Sequence, residues 1–324
     1  MDTLHGNILP VAAGKTTRFA QFSWIVLVYN LFVIGWGAFV RATGSGAGCG
    51  SHWPSCNGEV IPRPERIETV IEFTHRVTSG LTLILIAVLL IWALRAFPRG
   101  HAVRASAVIS AVFIILEALL GAGLVLFGLT ADNDSIARAN VMMLHLINTF
   151  VLLATISLTA WWATFGAPGG FFSRQPALVM LSASVLAMLV LGASGAITAL
   201  GDTLYPASSL AEGLRQDFSS EASVLLRLRI FHPMIAVITA GIAGGTAAFL
   251  RRKYDHPHLQ RLGLGLICIF LLQLALGVTN VILLAPVWMQ IVHLIVSQLA
   301  WIGLILLAAV TLGSVDLLPR LVNE

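Results

Sequence analysis

Four histidines, His75, His145, His232 and His293, each fall one to two turns into a long apolar run. An ionisable side chain is costly in such a run and marks a functional site by default. Imidazoles offered in pairs by facing helices are axial ligands of haem iron. Four at similar depth therefore make a framework for two bis-imidazole iron sites, His75 with His145 and His232 with His293. The first lies in Ile71-Glu72-Phe73-Thr74-His75-Arg76, where Glu72 and His75 are three apart and share a helix face. A carboxyl beside an iron centre can deliver or remove protons, or hold a substrate-derived intermediate, so Glu72 is the candidate catalytic group. Arg76, Arg227 and Arg229 stand at the same ends of the histidine helices, where guanidinium forks suit carboxylates such as haem propionates. Taken singly, a histidine here reads as well as a buried ring bonded to a neighbouring helix, and an arginine as a side chain snorkelling to the interface.

Recurrence favours the ligand reading for the histidines. Gly37-Ala38-Phe39-Val40 is echoed by Gly195-Ala196-Ile197-Thr198, Phe73-Thr74-His75 by Ile230-Phe231-His232, Leu120-Gly121 by Leu276-Gly277, and Met143-Leu144-His145-Leu146-Ile147 by Ile291-Val292-His293-Leu294-Ile295. The offsets are 158, 157, 156 and 148 residues, so two halves align with one contraction before the last element. Under this alignment Arg229 takes the place of Glu72, and the two sites differ in charge. That asymmetry suggests chemistry in the N-terminal half and electron carriage in the C-terminal half. Glu117 aligns with Gln273 and so faces the interior, with no role assigned to it. Pro233, just after His232, is expected to bend its helix and aim that ring.

The elements that position these groups are membrane spans. Of 324 residues, 57% are hydrophobic and 10% charged, with mean hydropathy +0.90. Soluble domains carry about 25% charged residues, so the chain is a polytopic membrane protein. At about 20 apolar residues per crossing, helices are expected near 22–40, 68–94, 106–129, 139–165, 178–200, 223–250, 262–284 and 289–312. Each half has an even number of spans, which makes the copies parallel. The expected fold is all-α, with eight transmembrane helices as two pseudo-symmetric four-helix bundles, 1–172 and 173–324. Eleven of the nineteen Lys and Arg fall on the side holding Arg251-Arg252-Lys253, which places both termini in the cytoplasm and the histidines in the outer half of the membrane. The net charge of +4 is scattered between helices, which argues against nucleic-acid binding. No cleavage site or Arg- and Ser-rich presequence is read in the first twenty residues, which favours a plasma membrane over an organelle.

Between the first two spans runs a glycine-rich loop with Cys49, His52 and Cys56. On the oxidising side a Cys49–Cys56 disulfide is plausible, as a structural staple or as an exposed redox pair at the mouth of the site. A third reading makes Cys49, His52 and Cys56 metal ligands, though no fourth ligand is evident.

Gly44-Ser45-Gly46, Cys49, Trp53-Pro54, Cys56-Asn57-Gly58, Ile71 to Arg76, and the histidines of the later spans together resemble bacterial haem A synthase, in its form with a cysteine pair in the first outer loop. The resemblance implies a membrane enzyme of cytochrome oxidase biogenesis that oxidises the C8 methyl of haem O to a formyl group through a hydroxymethyl intermediate. It implies that His75 and His145 bracket the substrate haem with Glu72 catalytic, that His232 and His293 ligate the iron of a haem b cofactor, and that Cys49 and Cys56 form a disulfide. A bacterial cell membrane and a handover partner in haem O synthase follow from it, while the electron donor stays unknown. Two rival readings are a bis-histidine di-haem quinol or electron-transfer cytochrome and a haem transporter or chaperone.

Overall fold

The computed structural model describes residues 13–63, 66–168 and 175–313, and the expected boundary at 172/173 lies outside them. The described residues form helices α1 (Ala13–Ala42), α2 (Ile67–Ala96), α3 (Ala102–Leu126), α4 (Ile136–Phe165), α5 (Gln175–Leu204), α6 (Leu210–Asp217), α7 (Val224–Arg229), α8 (Phe231–Lys253), α9 (Pro257–Ile282) and α10 (Val287–Gly313). With α7 and α8 counted as one crossing, eight helices are long and apolar enough to span a membrane. The protein is an all-helical, multi-pass membrane protein, as its composition requires: in hydrocarbon a helix satisfies its own backbone polar groups.

Helix ends follow local chemistry. Ser135, Ser209 and Ser223 cap α4, α6 and α7 by accepting from the backbone N–H three residues on. Pro257 opens α9, where its missing N–H costs nothing. The sixth crossing is broken at Ile230, between α7 and α8. Pro233 cannot donate to the carbonyl of Arg229, four residues back, and its ring crowds that carbonyl. The expected bend is therefore a break one turn ahead of the proline.

Helices α1 to α4 pack in a ring, each on the next and α4 back on α1. Helices α5, α8, α9 and α10 repeat that ring. Along the seam α1 and α4 meet α5 and α10. Two contacts lock it: Trp301 Nε1 donates to the Phe150 carbonyl at 2.6 Å with the rings stacked 4.8 Å apart, and Arg41 on α1 donates to Thr203 on α5 and Gln290 on α10. Close packing and hydroxyl pairs hold the helices where lipid removes the hydrophobic drive. Ser110 bonds Thr155 between α3 and α4, and Ser184 bonds Thr246 between α5 and α8. The apolar core, with Phe19, Ile86, Leu89, Leu153, Leu181, Leu250 and Leu307, fills the end of the bundle away from the histidines. The histidine end is left more open.

Candidate functional site

The four histidines lie six to nine residues past the start of their crossings, about 9 to 14 Å along each helix at 1.5 Å per residue. All four are half-buried. The members of each expected pair lie within electrostatic reach of one another, His75 with His145 and His232 with His293.

Each ring faces a glycine on the neighbouring helix. A Cβ at Gly37 on α1 would stand 3.0 Å from His75 Cε1, and one at Gly195 on α5 3.1 Å from His232 Cε1. At Gly277 on α9 it would stand 3.3 Å from His293 Cε1, and at Gly121 on α3 3.8 Å from His145 Nε2. These glycines hold repeat-related positions and leave a notch beside every imidazole. The Nδ1 atoms of His75 and His293 are buried with no hydrogen-bond partner. Paired imidazoles with free ring nitrogens beside side-chain-free notches fit a planar iron porphyrin held axially. Among the described residues no cluster of three His, Cys, Asp or Glu side chains forms a site for a bare metal ion.

The loop after α1 is seated on α2. Cys49 and Cys56 form a disulfide, with Cα atoms 4.4 Å apart, so neither is a thiolate ligand and the three-residue metal reading falls. Both half-cystines are fully buried, which removes the exposed bridge that a redox pair at the mouth was expected to need. Three successive turns of α2 grip the loop. Thr69 Oγ1 donates to the Gly48 carbonyl at 2.7 Å. Glu72, itself buried, accepts from the Cys49 N–H at 2.8 Å. Arg76 donates to Glu72 from Nε (3.1 Å) and Nη2 (2.5 Å), and to the carbonyls of His52 (2.6 Å) and Ser55 (2.5 Å) from Nη1. Gly48 is required by this approach, because a Cβ there would lie 2.3 Å from the Glu68 carbonyl oxygen. Glu72 therefore stands one turn before His75 with its oxygens turned to the loop.

The second ring is covered differently. Arg229 donates from Nε to Asp217 at 2.6 Å and from Nη1 to Asp202 at 3.1 Å, which ties α6 and the end of α5 to the histidine helix. Arg227 is exposed and donates from Nη2 to the Ser220 carbonyl at 2.6 Å. Neither Asp202 and Asp217 nor α6 was expected from sequence. The signal for α6 was present in Ser209-Leu210-Ala211-Glu212, a capping-box pattern.

The other side of each pair is held from α3 and α9. His145 Nδ1 lies 2.9 Å from Glu117 Oε1, whose oxygens also accept from Thr149 Oγ1 and Asn148 Nδ2, both at 2.5 Å. Gln273, aligned with Glu117, places its amide 3.1 Å from His293 Nε2 and donates to the His293 carbonyl at 3.0 Å. Ser194 Oγ lies 2.9 Å from His232 Nδ1. Two shallow apolar grooves, about 310 Å³ lined by Leu181, Val185 and Ala308 and about 370 Å³ lined by Val88, Trp92 and Arg95, sit toward the opposite end of the helices and touch none of these groups.

Eight spanning helices with four histidines gathered toward one end define an integral membrane protein equipped with candidate haem ligands. Residues 20–305 match the COX15-CtaA family of cytochrome oxidase assembly proteins, and the chain belongs to that family. It is 49% identical over 295 residues to a protein of Thermus thermophilus named protoheme IX farnesyltransferase, covering 90% of this chain and 48% of that one. It is 44% identical over 111 residues to the heme A synthase of Alkalihalophilus pseudofirmus, covering 34% of this chain and 37% of that protein. To the heme A synthase of Halalkalibacterium halodurans it is 38% identical over 137 residues, 42% and 43% of the two chains. The aligned stretch is about half the length of the Thermus relative, and less of the heme A synthases.

Proposed function

We propose that the protein is a haem A synthase, which oxidises the C8 methyl of haem O to a formyl group through a hydroxymethyl intermediate. The observation that carries this reading is the repeated histidine pair with its facing glycines, joined to a chemically unequal cover in the two halves of a COX15-CtaA chain. In this reading the N-terminal bundle, 1–172, takes haem O between His75 and His145, with Glu72 as the catalytic carboxyl. The C-terminal bundle, 173–324, holds haem b between His232 and His293. When bound, haem b supplies one-electron redox capacity beside the substrate site.

The chain's own residues do the rest. Arg76 and the Cys49 N–H hold the Glu72 carboxyl at one edge of the first site, where it can take up and return a proton. The stapled loop lies over the same mouth and excludes water from it. Arg227, exposed at the second mouth, is the arginine proposed to meet a propionate, whereas Arg76 is committed to Glu72 and the loop carbonyls and Arg229 to Asp202 and Asp217. The Cys49–Cys56 bridge acts as the staple of this cover. The site faces the outside of a bacterial plasma membrane, with both termini in the cytoplasm.

The Thermus relative supports a handover. Its name is that of an enzyme acting on protohaem IX to make haem O, yet half of its length matches this chain. A shared polypeptide would put production of haem O beside its consumption, and this chain is proposed to receive haem O from such an enzyme.

The test is pigment extraction after co-expression with a haem O supply. Haem A or its hydroxymethyl precursor is expected in the extract. Haem B alone would support a di-haem electron-transfer cytochrome, and bound haem with no bis-histidine low-spin spectrum would support a haem transporter or chaperone without paired axial ligands.

A further inference from the structure

Four hydrogen-bonding arrangements surround the histidine rings, and they are not equivalent. His145 is held at Nδ1 by the carboxyl of Glu117, and His232 at Nδ1 by the hydroxyl of Ser194. His75 Nδ1 and His293 Nδ1 have no partner. Each pair thus contains one ring fixed through Nδ1 and one ring that is not. The fixing groups differ: a carboxyl in the first half and an alcohol in the second.

We infer that Glu117 is a positioning residue of the substrate site. It fixes the Nδ1–H tautomer and the plane of His145, so that Nε2 is presented to iron with a carboxyl hydrogen-bonded behind the ring. Three features support this. Three donors converge on the two Glu117 oxygens, His145 Nδ1, Thr149 Oγ1 and Asn148 Nδ2, so the group accepts only and cannot rotate away. Asn148 also donates to the Phe113 carbonyl at 2.9 Å, which ties α4 to α3 beside the ring, while Thr149 Oγ1 lies 2.9 Å from the His145 carbonyl of its own helix. His145 Nε2 then faces the notch at Gly121, the roomiest of the four at 3.8 Å. In the second half the aligned residue is an amide, and it meets the opposite nitrogen, Nε2 of His293. A carboxyl on the far nitrogen of a ligating imidazole raises its donor strength, and neither His232, bonded to Ser194, nor His293, bonded to Gln273, has a carboxyl partner. The two sites are therefore built with different axial fields, the stronger donor on the side where haem O is proposed to react.

This inference rests on His145 ligating iron, and the experiment separates the two. The full-length protein is purified with bound haem, its low-spin signals are recorded by electron paramagnetic resonance, and haem O is titrated into each variant. His145→Ala should remove the first-site signal and leave the second. Glu117→Gln keeps the shape of the side chain, and should shift the g-values of the first-site signal and weaken haem O binding about 10- to 100-fold. The second-site signal should be unchanged, which shows that the variant folds, and Glu117→Asp should restore part of the loss. If His145→Ala leaves the first-site signal in place, the ligand assignment fails. If His145→Ala removes it but Glu117→Gln matches the unaltered protein in g-values and affinity, Glu117 has no positioning role and the inference is overturned.

Discussion

At the histidine end of the first half, an acid on the histidine helix takes hold of what lies above it: Glu72 accepts from Cys49 and from Arg76, and Arg76 reaches on to two loop carbonyls. In the second half the same turn offers a base, Arg229, which takes hold of Asp202 and Asp217. Beneath these covers the rings repeat helix for helix, and the glycines beside the imidazoles repeat with them. The comparison separates two jobs. What repeats is a histidine pair with a glycine beside each ring, the apparatus proposed to hold a flat iron-bearing ligand. What differs is the charge at the mouth and the partner of the ligating ring, carboxyl on one side and amide on the other. In the proposed reading the matched residues make two holders, and the unlike residues at matched positions make one of them reactive.

The largest effect should come from breaking one holder and watching the other. His232→Ala should lose the haem of the second half entirely while the first-half signal persists, and His75→Ala the reverse, as read from haem content and low-spin spectra per mole of protein. If either change removes both haems, the halves do not act as separate holders. Next in size is Glu72→Gln, which should cut product formation at least 100-fold, roughly the contribution of one acid–base group, while haem b stays bound. Unchanged turnover would assign Glu72 to the loop alone.

The covers are compared by a matched pair of changes. Arg229→Ala takes the ion-pair partner from Asp202 and Asp217; because the group is partly exposed and Arg41 still acts on Asp202, the cost should be roughly 1–3 kcal/mol, below that of a fully buried pair. Cys49→Ala removes a staple worth about 2 kcal/mol, but Thr69, Glu72 and Arg76 still grip the loop. Thermal melts should therefore fall in both. Haem b retention should fall only for Arg229→Ala, and a C-terminal haem lost from Cys49→Ala would show that the covers are not independent.

Much of this was legible in the sequence, for physical reasons. Eight apolar runs of spanning length leave one fold class open, and the matched offsets of Gly37, His75, Gly121 and His145 with their partners give the ring pairing without coordinates. Span ends were less legible. The crossings extend as far as Ala13 and Ile67 because a helix continues into the interface past the apolar core, and the third stops at Leu126. The break at Ile230 was displaced from Pro233 because a proline disturbs the carbonyl four residues before it. What no pattern displayed was partnership across helices. Glu117 reads as an interior acid without a role until α3 meets α4, and Glu72 reads as a neighbour of His75 until the loop folds back to occupy its oxygens. Asp202 and Asp217 lie fifteen residues apart in a segment whose one structural signal is the capping box from Ser209 to Glu212.

The glycines allow a finer cut. At Gly37 and Gly195 an added Cβ meets the ring at 3.0 and 3.1 Å, closer than van der Waals contact allows, so the histidine must shift. Overpacking of this kind costs about 1–3 kcal/mol, and Gly37→Ala and Gly195→Ala should each weaken haem binding in their own half about 10-fold or more. Gly121 is different. Its Cβ would rest 3.8 Å from His145 Nε2, an ordinary contact, and alanine is the better helix former by roughly 0.5–1 kcal/mol. Gly121→Ala should therefore leave haem O affinity within about twofold, a change of less than about 0.5 kcal/mol, and leave the melting temperature level or slightly raised. The contrast discriminates between two uses of the notch. If the glycines serve only to seat the imidazoles, Gly37→Ala is damaging and Gly121→Ala is silent. If Gly121→Ala abolishes haem O binding as thoroughly as Gly37→Ala does, the notch is occupied by the porphyrin, and all four glycines are binding-site residues in their own right.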